Sequence, residues 1–217
     1  MRTFVGALAL TSVALAATAG AQDALPVSPL SRLAPGTRYS YELILDSARK
    51  MGIPTARLES RALEGIAKRA VDRRILDAVR NEFRALREAR VALGPKASDD
   101  ELGAAASALR VGITAGELSQ LSRSRQGRLT VPLVVLVDLV SRAVPKDTAY
   151  QTIFSLYRAG AGDEDFHGLW RGVERDIVSG TDPGVALLNR AREIPARGPP
   201  PVSPPSGRPD QSETQDR

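Results

Sequence analysis

Between residues 71 and 93 the apolar positions Val71, Ile75, Val79, Phe83, Leu86 and Leu93 fall at spacings of four, four, four, three and seven. That is one face of a helix with a period near 3.6. The same period runs through most of residues 38–194, and strand-like alternation never holds for more than a few residues. The most apolar stretch, Leu129 to Val140, carries Pro132 near its start and reads as a central buried helix. Its valines leave a buried strand as the alternative. Asp138 within it is either a polar residue at the helix surface or a functional buried carboxylate.

A short pattern recurs where these helical stretches end. A Gly or Ala closes one helix, a mostly apolar residue follows, then Pro, Thr, Asp or Gly, and an apolar residue comes six positions after the closing residue. The copies are Gly52-Ile53-Pro54 to Leu58, Ala70-Val71-Asp72 to Leu76, Gly112-Ile113-Thr114 to Leu118, Ala143-Val144-Pro145 to Ala149, Gly160-Ala161-Gly162 to Phe166, and Gly180-Thr181-Asp182 to Ala186. Glycine can take the left-handed conformation that closes a helix, and the apolar residue beyond folds back onto the last turn. Thr114 with Glu117 and Ser98 with Glu101 make capping boxes, and Asp182-Pro183 is a helix start. Connections this short force neighbouring helices into hairpins or corners. The copies lie 18, 42, 31, 17 and 20 residues apart, so no regular solenoid is expected. The expected fold is all-α: an array of short helical hairpins and corners, about seven to nine helices, in one compact domain. Gly112-Ile113-Thr114-Ala115-Gly116-Glu117-Leu118 resembles the corner of short helical-hairpin oligomerisation modules of bacteria, and no residue role is carried over from it.

The ends differ from the middle. Met1-Arg2 begins a basic start, Phe4 to Ala17 is apolar apart from Gly6, Thr11 and Ser12, and Ala19-Gly20-Ala21 fits a small-x-small cleavage site. Residues 1–21 therefore read as a cleaved secretory signal, too short for a membrane anchor. Residues 22–37 read as a proline-containing linker, 38–194 as the helical domain and 195–217 as a disordered, proline-rich tail. Seven of the 15 prolines lie from Pro195 onward, where apolar residues are too few to offset the entropy of ordering. Pro201-x-x-Pro204 is a polyproline-type pattern that a plain solubilising tail also explains. No later stretch is long and apolar enough to span a membrane, and the expected location is exported, periplasmic or secreted, in a bacterium.

The chemistry is sparse. Of 217 residues none is cysteine and one is histidine. A disulfide framework, thiolate zinc sites, iron–sulfur clusters and a cysteine nucleophile are excluded, as is a multi-histidine metal site within one chain. Glu164-x-x-His167 has the spacing of carboxylate-bridged dimetal bundles, but those need a second copy. It reads instead as a solvated helix start, with Asp163, Glu164 and Asp165 near the positive end of the dipole. An enzyme using Glu164 and His167 remains the weakest of three functional readings. No Gly-x-Ser-x-Gly elbow or phosphate-binding glycine loop occurs. No catalytic, cofactor or metal residue is assigned.

Charge is more informative. Residues 38–96 carry 14 basic and 8 acidic side chains, whereas 146–194 carry 6 and 8. Arg69, Arg73, Arg80, Arg84 and Arg87 fall within about 60° of helical arc. That stripe could meet lipid headgroups or envelope polyanions. Arg73 with Asp77 and Arg84 with Glu88, four apart, can pair and partly neutralise it. The leading expectation is a non-enzymatic binding or structural module for another envelope protein. The alternative is a peripheral binder of anionic surfaces through the arginine stripe. Nucleic acid is not an expected partner.

Overall fold

A computed structural model describes residues 29–124 and 127–195. Among them are a 3-10 turn at Pro29–Arg32 and nine α-helices: α1 Pro35–Lys50, α2 Ala56–Ala67, α3 Asp72–Leu93, α4 Asp99–Arg110, α5 Ala115–Arg123, α6 Thr130–Ser141, α7 Lys146–Arg158, α8 Asp163–Val178 and α9 Pro183–Arg192. No strand occurs among the described residues. The expected signal peptide and almost all of the expected tail lie outside them. No helix among them is long and apolar enough to cross a membrane. Packed structure begins inside the expected linker: α1 starts at Pro35, and Leu33 is 3% exposed.

Six of the eight helix connections share one corner. At Gly112 (φ 93°) the Ile113 N–H donates to the Ala108 carbonyl at 3.0 Å, and the Gly112 N–H to the Leu109 carbonyl at 3.1 Å. This is a Schellman ending. The same pair of bonds closes the helices at Gly52, Arg69, Ala143, Gly160 and Gly180, each with a positive φ. Six positions further on stand Leu58, Ile75, Leu118, Ala149, Phe166 and Ala186, each at most 3% exposed. The corner therefore sets the register of the next helix, because it fixes which residue first turns into the core.

One copy sits a residue earlier than the sequence suggests. Arg69 (φ 52°), not Ala70, takes the left-handed position. Ala70 then folds back onto α2, and Ile75 rather than Leu76 becomes the buried residue. A long charged side chain is better placed on the outside of the corner, and the small apolar one inside. The two long gaps between corners each hold a connection of another kind. One runs from Gly94 to Ser98, and the other follows α5 and ends at Leu129.

Caps complete the ends. Ser98 with Glu101 and Thr114 with Glu117 form both expected capping boxes, and Asp182 accepts the Val185 N–H at 3.0 Å. Ser119 and Ser122 donate to the Ala92 and Leu93 carbonyls, at 3.3 and 3.0 Å, satisfying acceptors left over at the end of α3.

Helices two apart in sequence pack side by side: α1 on α3, α3 on α5, α4 on α6, α6 on α8 and α7 on α9. The valine-rich stretch is helical from Thr130 onward as α6, with Leu133, Leu136 and Leu139 fully buried between α4 and α8. One cluster of buried apolar side chains runs from Leu33 to Leu187. At its far end Arg190 forks onto Asp176, donating from Nε and Nη2 at 2.7 Å each, and docks α9 on α8. That fork holds the Asp176 carboxyl below the usual carboxylate range.

Candidate functional site

Helix α3 departs from its expected apolar face in an instructive way. Val71 lies just outside the helix and is 65% exposed, and Phe83 is half-buried. The buried stripe is Ile75, Val79, Glu82, Leu86, Ala89 and Leu93, with a carboxylate at its centre. Glu82 is 4% exposed. A carboxylate so placed needs charged or hydrogen-bonding partners to persist.

Its partners come from two other helices. Arg57 and Arg61 are one turn apart on α2 and share a face. Arg110 is the last residue of α4. Because α2 and α4 both pack on α3, the three guanidinium groups converge on one carboxylate. Arg57 Nε donates to Oε1 at 3.4 Å and Arg61 Nη2 to Oε2 at 3.5 Å. Arg110 Nη1 donates to Oε2 in the shortest of the three contacts. The arginine side chains stay 35–42% exposed while the carboxylate is covered. Glu64 at the rim takes Arg61 Nη1 at 2.7 Å and Lys68, which holds its carboxyl below the ordinary range.

Arg57, Arg61, Glu64 and Glu82 line a cleft of about 330 Å³ whose wall also carries Ser60. Arg57 is shared with an adjoining groove of about 390 Å³ between α4 and α6. Gly103, Ala104, Val134 and Val137 give that groove an apolar face, and Asp100 and Asp138 give it two carboxylates. Asp138 is thus a half-buried groove residue, neither wholly at the surface nor in the core. Burial pushes its carboxyl above the usual range, Arg142 opposes that shift, and Glu174 adds to it. Gly103 has a specific role. A Cβ there would lie 2.3 Å from Arg57 Nη1, so the guanidinium rests where a side chain would otherwise be.

The second buried carboxylate, Glu101, is structural. It is 2% exposed, closes the α4 capping box, and accepts the Leu129 N–H at 2.9 Å, tying the start of α6 to the start of α4.

The arginine stripe lies elsewhere. Arg73, Arg80, Arg84 and Arg87 are exposed on α3, whereas Arg69 belongs to the preceding corner and not to the helix. Asp77 sits 4.0 Å from Arg73 and 3.5 Å from Arg80. No ion pair joins Arg84 to Glu88 among the described residues. Glu164 and His167 are both exposed on the first turns of α8. Asp165 beside them accepts the Gly162 N–H at 2.8 Å. The described residues hold no group of three or more metal-ligating side chains.

The Glu82 cluster is not visible in the sequence, because its members are 21 to 28 residues apart and no motif links them. One signal was present. Position 82 falls three after Val79 and four before Leu86, squarely on the apolar face. No protein-family model matches this chain. Neither the curated proteins nor the solved structures contain a match to it.

Proposed function

We propose that this is an exported α-helical protein of a bacterial envelope, acting without catalysis as a binding or structural module for another envelope component. Export rests on the three-part pattern of residues 1–21. Binding rests on one observation above all: three guanidinium groups from two helices converge on a buried carboxylate on a third, and two of them, Arg57 and Arg61, line an open cleft beside it. Such a cluster offers oriented donors and surplus charge on rigid elements, which suits recognition. Crosslinking and affinity capture of the exported protein test this reading. One dominant envelope component should be recovered, and a monomer that captures nothing would overturn it.

A second reading, a peripheral binder of anionic lipid or glycan surfaces, is favoured by the exposure of the arginine stripe, with Arg73 at 92%. Changing Arg73, Arg80, Arg84 and Arg87 to Gln should then abolish binding to anionic liposomes. Binding to liposomes that high salt leaves unchanged would remove this reading.

A further inference from the structure

We infer that the cleft at Arg57 is an oxyanion site, which takes a carboxylate or phosphate group of the bound component. This deepens the binding reading and rests on it for the anion's belonging to a larger component. Arg110 spends Nη1 on Glu82 and Nη2 on Ser107 Oγ at 2.8 Å. Arg61 spends Nη2 on Glu82 and Nη1 on Glu64. Arg57 spends only Nε, and no described residue accepts from its two terminal nitrogens. It therefore presents a guanidinium already oriented through Nε, with a terminal edge still to be paired. That geometry matches carboxylate and phosphate.

The surroundings agree. Three guanidinium groups converge on the one buried carboxylate of Glu82, and each remains partly in solvent. Glu82 acts as a positioning residue for all three. Gly103 breaks the otherwise alanine-rich run of α4 at the one place where a side chain would displace Arg57. Ser60 adds a hydroxyl to the cleft wall. Beyond Arg57 the groove offers apolar side chains and the carboxylates of Asp100 and Asp138. They repel negative charge, so the part of the ligand that enters this groove is apolar or cationic.

The test is titration of the full chain with inorganic phosphate and, separately, with butyrate, at constant ionic strength and read by calorimetry. At least one probe should saturate, with a dissociation constant on the order of 1 mM for a single charge-assisted fork. Tighter phosphate binding identifies a phosphate-bearing component, and tighter butyrate binding a carboxylate with an apolar extension. Arg57→Gln should weaken the preferred probe at least roughly tenfold, with an unchanged circular dichroism spectrum. Arg57→Lys should fall between the two. Should Arg57→Gln misfold, Gly103→Ala supplies the same test by displacing the guanidinium while keeping it. Absence of saturation by either probe, or a folded Arg57 or Gly103 variant that binds as the parent does, overturns the proposal. If capture of an envelope component survives while neither probe binds, the oxyanion site fails and the binding reading stands. If a probe binds and nothing is captured, the outcome is the reverse.

Discussion

Exchanging the residues at two corners tests the left-handed closure on which the array depends. Ala143 holds a φ of 64° on an exposed corner, and Gly52 holds 62° with no atom within 4 Å of where a Cβ would lie. Both exchanges are therefore free of steric side effects and isolate the backbone term. An L-residue in this region costs about 1–2 kcal/mol. Glycine removes that cost but returns about 0.4–1 kcal/mol through greater freedom of the unfolded chain. Ala143→Gly should then stabilise by about 0.5–1 kcal/mol, and Gly52→Ala should destabilise by about the same amount. For a domain of this size each corresponds to a Tm change of about 1–4 °C. Urea unfolding followed by far-ultraviolet circular dichroism, with an unchanged slope on denaturant, reads both values. The two corners share no partner, so the double variant should return close to the parent. The reasoning is refuted if Ala143→Gly lowers stability or Gly52→Ala leaves it unmoved.

Four further outcomes follow from the side chains. Glu82→Gln leaves three guanidinium groups without their charged acceptor and should cost about 2–3 kcal/mol in urea unfolding. Gly103→Ala should change stability by less than about 1 kcal/mol, since helix propensity favours alanine and only the flexible end of Arg57 must move. Asp138→Asn should raise Tm at neutral pH. Burial lifts the folded carboxyl above its unfolded value, so the charged form opposes folding at neutral pH and that opposition fades as the pH falls through the raised value. A pH series of Tm for both chains should converge in acid. Asp176→Asn should lower stability at neutral pH, because the Arg190 fork depresses that carboxyl. The contribution is present above the unfolded value and lost as the pH falls through the depressed one, so here too the parent and variant curves should meet in acid.

Much of the fold was legible because the corners are local. Gly112-Ile113-Thr114 carries the left-handed residue, the apolar residue that folds back and the cap within three positions, and the structure builds it from those parts. Leu129 to Val140 required a choice between helix and strand, and Pro132 in the first turn pointed to the helix that forms. The Arg69 corner slipped by one residue because either Arg69 or Ala70 can follow α2, and the choice depends on which side chain must face solvent. The face of α3 is obscured in the sequence for a related reason. A helix face defined by apolar residues alone takes Phe83 in place of Glu82, and a buried carboxylate makes sense only once arginines from α2 and α4 are known to reach it. The site itself is tertiary, and a stripe of arginines along one helix was the only cluster that local reading could assemble.

Placing a photocrosslinking amino acid at Ser60, on the wall of the Arg57 cleft, and separately at Arg84, on the outer face of α3, separates the two proposed binding surfaces directly. Irradiation of cells producing each variant should trap a single envelope component from Ser60 and nothing discrete from Arg84. Trapping from Arg84 with none from Ser60 would contradict the account.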